Sequence, residues 1–551
     1  MYCLKIAEIQ KIMKITKCIF LYLIFSFMIE GCASVKQPKE VFVQPDFNEK
    51  DVRDNEVKRI NEMTSEFPVK ALWRAKLMGN EEIVAKLEDY VAALYKEAVD
   101  KKNFFDAYRF YISLKACGFK KFDLSESYEK SLFENSIADV PGLVTDRKFL
   151  PVSLADCVNS TVTVWVDKGI KIQNGMGFAD RVLGSGFFID KRGYIITNHH
   201  VISDLVDPKY EGYSRLYIKL AADQETRIPA KVVGYDSVHD LALLKCEIDP
   251  PFILELGSSA SLGVGDKVNC IGTPLGLHGT VTSGIVSAVD RKLFTTGDVF
   301  QIDAAVNSGN SGGPCIDAQK KVQAVVFAGI AKYQGLNFAI PVEYLRQDLP
   351  FLYNGGKRRL AWLGAYGHTF KDGVKNAGLE VQYLMPGGVL YRAGLKVGDI
   401  ITFLNGYRVY TLEQVQDVLR NFSAETMLTC SYNRDGESYS CIVYLEERPE
   451  KPGYDIFKSD LLNTSLVPIL GMELVPSSTL FKRQYTISRV IKGSAADESG
   501  FSELDPVYIS DVDFAPENDA ISVQMNTRKK KRGYLDITMR LGAPLDSPYY
   551  F

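Results

Sequence analysis

Ser311 stands in the run Asn307-Ser308-Gly309-Asn310-Ser311-Gly312-Gly313-Pro314, the surroundings a nucleophilic hydroxyl needs. A serine attacks a carbonyl only when a base takes its proton and N–H donors stabilise the oxyanion that forms. Gly309 lets the backbone turn so that the N–H groups of Gly309 and Ser311 point at one spot, and the candidate oxyanion hole is Gly309, Asn310 and Ser311. Gly312 and Gly313 keep side chains away from an approaching substrate. The same residues fit the G-x-S-x-G elbow, which requires a helix directly after the serine and then Asp and His downstream. Gly312, Gly313 and Pro314 oppose a helix, and only His368 lies downstream, so the elbow reading fails. Taken alone, the motif is also compatible with a glycine-rich turn that does no chemistry.

A base must come from five histidines: His199, His200, His239, His278 and His368. Gly184–Asp190 leads through Lys191-Arg192-Gly193 into Tyr194–Thr197, a hairpin whose second strand delivers His199 and His200 at its end. Asp240 opens the apolar run Leu241–Leu244, and a partly buried aspartate is what holds an imidazole in the tautomer that accepts a serine proton. The residues alone do not decide between the two adjacent histidines. His239, next to Asp240, reads as a surface residue.

The stretches GSGFFIDKRGYIITNHHVI, AKVVGYDSVHDLALLK, VGDKVNCIGTPLGLHGTVTSGIVSAV, IDAAVNSGNSGGP and GLNFAIP occupy most of residues 184–341. In order and spacing they resemble the HtrA/Deg family of chymotrypsin-like serine proteases with PDZ domains. The resemblance implies a double β-barrel with its site between the barrels, His200 as general base, Asp240 orienting it and Ser311 as nucleophile. His199 stands where that family usually has Asn, and Ser308 where Pro is common. No acidic residue occurs in Val306–Ser308 or Val325–Gly329, the expected walls of the specificity pocket, which favours a small or medium apolar side chain beside the scissile bond.

The elements that must position these groups follow from the rest of the chain. Its 551 residues imply three to four domains by the usual scale of about 150 residues each. Sixty-five basic against 68 acidic residues give a net charge of −3, so no global basic field recruits nucleic acid. No apolar run reaches the roughly 20 residues needed to cross a bilayer, which excludes a polytopic membrane protein. Lys11, Lys14 and Lys17 precede the short apolar run Cys18–Ile29, the pattern of an export signal. Ile29-Glu30-Gly31-Cys32 resembles a bacterial lipobox with Cys32 as the acylated residue, although Glu30 departs from the small residue usual there; plain signal cleavage is the alternative. The expected order is a signal peptide (1–31), a tether (32–52), a helical domain (53–140), a trypsin-like domain (150–350), a PDZ domain (356–448) and a divergent PDZ-like domain (455–551).

Ile83, Val84, Leu87, Tyr90, Val91, Leu94, Tyr95 and Ala98 form one helical stripe, followed by a helix from Phe104 to Cys117; the pair reads as a helical spacer or packing domain. Residues 358–446 resemble a PDZ domain, which implies Trp362, Leu363, Gly364 and Ala365 as its peptide-carboxylate loop. Leu384, Gly387, Gly394, Asp399 and Ile401 recur 106 residues later as Val490, Gly493, Gly500, Asp505 and Val507, with Leu504 in place of Gly398. Leu470-Gly471-Met472 is a weak match to the loop in this second copy. The basic run Arg528–Arg532 reads as a solvated hairpin tip, with contact to anionic lipid or cell wall as the alternative. The ten cysteines show no metal spacing, and neither metal nor cofactor is expected. An Asp435-Gly436 turn would set Cys430 opposite Cys441, close enough for a disulfide.

The chain thus reads as multidomain: an N-terminal α-helical domain, a chymotrypsin-like double β-barrel, one PDZ domain and a second divergent PDZ-like domain. The expected function is an exported HtrA-like serine endopeptidase of unfolded or misfolded proteins in the bacterial cell envelope, on the periplasmic or extracytoplasmic side. Its expected partners are unfolded polypeptides, peptide C-termini and a membrane reached through a lipid anchor, with a homotrimer implied by the resemblance. The alternative is a non-catalytic envelope chaperone or peptide-binding scaffold on a protease fold.

Overall fold

Asn80 and Asn103 each turn a side-chain oxygen back to a backbone N–H three residues on, Ile83 and Asp106, both at 3.2 Å. Such caps satisfy donors that a helix leaves open at its start. They open two of the five N-terminal helices in this computed structural model: α1 (Lys50–Met63), α2 (Pro68–Met78), α3 (Glu81–Asp100), α4 (Phe104–Ala116) and α5 (Glu126–Ile137). The structure describes residues 38 and 40–551 apart from 122–124, 138–146, 174, 207–213, 260–261, 274–278, 292–296, 330–335, 478–482, 516–519 and 532. The export signal, Cys32 and His278 lie outside the described residues, as does Arg532 at the end of the basic run. Among the described residues no helix is long and apolar enough to cross a membrane.

The α3 stripe buries Val84, Leu87, Val91, Tyr95 and Ala98, while Tyr90 at its margin is exposed. The helices are more than a spacer, because their core runs on into the PDZ sheet. Trp73 of α2 is fully buried, stacks on Tyr444 at 5.7 Å and donates its Nε1–H to the Ile442 carbonyl at 2.9 Å. The Ser113 hydroxyl of α4 accepts from the Met427 N–H at 3.0 Å, and Arg109 pairs with Glu425 at 2.8 Å.

Strands of three to 15 residues build two barrels. The first contains β1 (Thr161–Gln173), β2 (Met176–Asp190), β3 (Tyr194–Thr197), β4 (Arg215–Leu220), β5 (Asp223–Asp236) and β6 (Leu241–Cys246), closed by pairing of β5 with β6. The second closes through β7 (Lys267–Gly272), β8 (Thr280–Arg291), β9 (Val299–Ile302), β10 (Pro314–Ile316), β11 (Val322–Gly329) and β12 (Asn337–Pro341). Closure removes exposed sheet edges. Helix α6 (His199–Val206) follows β3, and α7 (Val342–Asn354) leaves the second barrel and packs back on the first through the buried Leu345, Leu349 and Leu352.

The chain then passes through β13 (Gly356–Lys357), parallel to β5, and β14 (Ala361–Trp362) into the PDZ sheet. That sheet runs β15 (Ala365–Asp372), β16 (Lys375–Leu384), β17 (Ile400–Leu404), then, past the short β18 (Tyr407–Arg408), β19 (Met427–Arg434) and β20 (Glu437–Tyr444), with α8 (Leu412–Arg420) beside it. The β19–β20 turn has Asp435 at φ 52° and Gly436 at φ 85°, and it sets Cys430 opposite Cys441; both are free thiols.

Residues 451–546 form a separate compact unit around a five-stranded antiparallel sheet, whereas Ser547–Phe551 belong with the protease and the first PDZ domain. The internal repeat is visible atom by atom. The short helices Val389–Arg392 and Ala495–Glu498 occupy equivalent places. Asp399 accepts from the Lys396 N–H at 2.7 Å, and Asp505 from the Ser502 N–H at 2.8 Å. Gly398 has φ 94°; its counterpart Leu504 keeps the left-handed backbone at φ 67° although it carries a side chain.

Candidate active site

Strand β3 ends in the fully buried Ile195, Ile196 and Thr197, so Asn198, His199 and His200 emerge together at the rim of the first barrel. The turn between β5 and β6 brings Asp240 to the same rim in a left-handed backbone at φ 54°, a conformation that Asp tolerates better than most residues. The Asp240 carbonyl accepts from the Asn198 side chain at 2.8 Å and from the His199 N–H at 3.2 Å. Its carboxylate accepts from the His200 N–H at 2.8 Å and meets His200 Nδ1 at 2.7 Å. That contact fixes a proton on Nδ1 and leaves Nε2 to act as acceptor. The His200 side chain is 47% exposed, whereas that of Asp240 is 12% exposed. His199 instead stacks on Tyr235 at 5.2 Å, and burial pushes its pKa below the usual histidine value. Geometry therefore separates the two neighbours that the residues alone left open.

Ser311 comes from the second barrel, in the loop before β10. A Cβ on Gly312 would lie 2.2 Å from the Ser185 carbonyl, 2.4 Å from Thr197 Oγ1 and 3.0 Å from the Asn198 nitrogen, and φ there is 86°. Only glycine fits, and this close approach presses the serine loop against the segment that delivers His200. The Ser311 hydroxyl donates to the Phe327 carbonyl at 3.2 Å, and among the described residues no hydrogen bond joins it to His200. The N–H groups of Gly309 and Ser311 have no hydrogen-bond partner among the described residues. The Asn310 N–H, by contrast, donates to the Asn307 carbonyl at 3.0 Å. Asn310 is therefore removed from the expected oxyanion set, because its N–H is committed to the turn.

Ser185 was not singled out in the sequence. It is fully buried; its N–H donates to the Ser311 carbonyl at 2.7 Å and its hydroxyl to the Gly309 carbonyl at 2.6 Å. The same hydroxyl accepts from the Thr273 N–H at 2.9 Å, and the Ser185 carbonyl accepts from Thr197 Oγ1 at 2.7 Å. One side chain thus ties the nucleophile loop to both barrels. The Gly-Ser-Gly spacing was its only signal.

His239 corrects an expectation, for it is fully buried rather than at the surface. The turn carrying it folds under α7, where its ring stacks on Tyr344 and Nδ1 lies 3.0 Å from Asp348 and 3.2 Å from Asp236. The contact with α7 links residues too distant in sequence to be read from the motif. Asp236, His239 and Asp348 could offer one ligand atom each to a metal. The buried Arg358 guanidinium, however, pairs with both carboxylates and supplies the positive charge, so the cluster reads as a structural ion network.

Trp362, Leu363 and Ala365 of the expected carboxylate loop are buried, Gly364 turns at φ 75°, and the loop feeds β15 at the sheet edge. In the second unit Gly471 of the matching loop donates its N–H to the carbonyls of Leu466 and Val467 and caps a helix.

Two barrels that divide an imidazole–carboxylate pair and a glycine-lined serine between them define the class of chymotrypsin-like serine peptidases. Family models match a trypsin-like peptidase domain at 184–325, a PDZ domain at 380–430, the TP0546 family PDZ domain at 453–545 and a domain of unknown function (DUF8517) at 51–135. The chain is 37% identical over 279 residues to a probable periplasmic serine endoprotease, DegP-like, of Bartonella henselae, covering 48% of this chain and 54% of that one. It is 31% identical over 337 residues to a protein of the same description from Ectopseudomonas mendocina, covering 59% of this chain and 68% of the relative. The solved HtrA-type protease AlgW with decapeptide aligns at 25% identity and a TM-score of 0.45 over 54% of this chain and 99% of that one. The chain belongs to the HtrA/Deg family of serine proteases. It spans about half the length of the first relatives it matches.

Proposed function

We propose that this chain is an exported serine endopeptidase that hydrolyses unfolded or misfolded polypeptides in the cell envelope, with its first PDZ domain capturing peptide C-termini. The observation that carries the reading is the 2.7 Å contact of His200 Nδ1 with Asp240 beside a serine loop whose Gly309 and Ser311 N–H groups have no partner among the described residues. In the working geometry Ser311 Oγ attacks the peptide carbonyl as His200 Nε2 takes its proton. The tetrahedral oxyanion forms against the N–H groups of Gly309 and Ser311. His200 returns the proton to the leaving amine, and water hydrolyses the acyl-enzyme by the same route. The Asp240 carboxylate holds the ring and stabilises the imidazolium. The Ser311 hydroxyl must first leave the Phe327 carbonyl and turn to His200. Catalytic contacts commonly tighten only when substrate is bound.

The periplasmic description of the relatives, together with the basic and apolar N-terminus, supports export, and Cys32 is the residue proposed to carry the lipid anchor. Several acyl chains at about 0.8 kcal/mol per buried CH₂ would make that anchorage lasting. A homotrimer is the proposed assembly, and an apolar residue the proposed preference beside the scissile bond. The second reading, a non-catalytic scaffold, is favoured only by the bond from Ser311 to Phe327. Labelling with a serine-directed fluorophosphonate in the presence of unfolded casein separates the two. The enzyme reading expects a single adduct on Ser311 and casein cleavage that is lost in Ser311→Ala. No adduct and no cleavage would establish the scaffold. A cleavage profile dominated by basic residues would overturn the apolar preference.

A further inference from the structure

Strand β15 forms one edge of the first PDZ sheet, and that edge is occupied. The Ala365 N–H donates to the Phe551 carbonyl at 3.1 Å, the Phe551 N–H donates to the Ala365 carbonyl at 3.0 Å, and the Gly367 N–H donates to the Tyr549 carbonyl at 3.1 Å. Tyr366 stands opposite Tyr550 in an antiparallel bridge. From the other side Gln416 of α8 donates its side-chain N–H to the carbonyls of Pro548 at 2.8 Å and Tyr550 at 3.4 Å. The rings are held as well: Tyr549 stacks on His368 at 4.0 Å, and Tyr550 sits edge-on to Trp362 and Tyr366. Tyr550 and Phe551 are 1% and 2% exposed.

A strand laid antiparallel between a sheet edge and a helix, with its last residue beside the loop that precedes the edge strand, is the geometry of peptide capture by strand addition. The segment that fills it is this chain's own Ser547-Pro548-Tyr549-Tyr550-Phe551. These five residues follow a separate compact unit, 451–546, yet belong structurally to the domain before it. A peptide entering the groove would need the same backbone groups of Ala365 and Gly367 and the same amide of Gln416, so the two occupants exclude each other.

We propose that Ser547–Phe551 is an intramolecular ligand of the first PDZ groove, and that an external peptide binds only after displacing it. The proposal rests on the PDZ reading given above for the identity of the groove. A tethered occupant competes at an effective concentration in the millimolar range for short flexible linkers, and the apparent affinity of a rival falls with the fraction of grooves left open. The test is fluorescence anisotropy with a labelled synthetic Ser-Pro-Tyr-Tyr-Phe peptide on three proteins. These are the full chain, a variant ending at Asp546, and full-length Tyr550→Asp, which sets a charge against Trp362 and Tyr366. Far-ultraviolet circular dichroism and thermal melts report folding. Both variants are expected to stay folded and to bind the probe at least about tenfold more tightly than the full chain. Equal affinity for all three would overturn the self-ligand and leave the PDZ reading standing. Binding to none would overturn both. Unfolding of both variants would show the segment to be a structural strand and overturn the proposal.

Discussion

Ser185 and Leu504 show how much a single side chain decides. Ser185→Ala leaves the buried Gly309 carbonyl without its hydroxyl donor and the Thr273 N–H without its acceptor. Each buried polar group left unpaired costs about 1–3 kcal/mol. The variant should therefore lower kcat by at least about tenfold with KM little changed, since the loop that must hold the oxyanion loses its tether. Steady-state kinetics beside denaturant melts check this; full kcat in a destabilised protein would reduce Ser185 to a packing residue. Leu504 is 81% exposed and held in a left-handed backbone that costs an L-residue roughly 1–2 kcal/mol. Leu504→Gly, which restores the residue found at Gly398, should raise the stability of the second unit by about 1 kcal/mol in urea unfolding. At this scale the nucleophile motif was legible because its glycines are demanded by local backbone geometry. The role of Ser185 was not, since its partners stand at 273 and 309 and only the closed barrels bring them together.

Between elements, the joints outweigh the parts. The α3 stripe could be read from its spacing, but a stripe says that a face is buried and not what covers it. Trp73 answers that for α2: its ring and Nε1–H dock on β20. Trp73→Ala should cost about 3–5 kcal/mol, and Trp73→Phe, which keeps most of the packing, far less; thermal unfolding of both would show it. Arg358 joins three elements, pairing with Asp236 and Asp348 and donating to the Arg420 carbonyl at the end of the groove helix α8. Burial pushes its pKa down to about 10, yet it stays charged at neutral pH. Burial alone would raise Asp236, but His239 and Arg358 override it and hold the carboxyl well below the usual range. A carboxylate depressed in the folded state contributes stability above its unfolded value, about pH 4, and that stability is lost as pH falls. Arg358→Met, by leaving two buried carboxylates with His239 as their remaining partner, should destabilise by about 3–5 kcal/mol. Asp236→Asn should flatten the loss of stability below about pH 4, and urea midpoints across pH 3–7 test the sign. None of this network was visible in the motif around Asp240, where His239 read as a surface neighbour.

Over the whole molecule, the helices followed from their period and the two related small domains from a 106-residue internal repeat, whereas the two barrels were implied by the family resemblance. What the sequence concealed was long-range closure: helices fused to the PDZ core, and five terminal residues returned to a groove far upstream. The catalytic proposal is itself of this kind, since His200 and Asp240 belong to one barrel and Ser311 to the other. Its most direct test is kcat/KM on an unfolded fluorogenic protein for His200→Ala, Ser311→Ala and the double variant. Groups that act as one unit give grossly non-additive losses, so each single change should remove about 10⁴- to 10⁶-fold and the double change hardly more. Near wild-type hydrolysis in either single variant, or losses that multiply in the double, would contradict it.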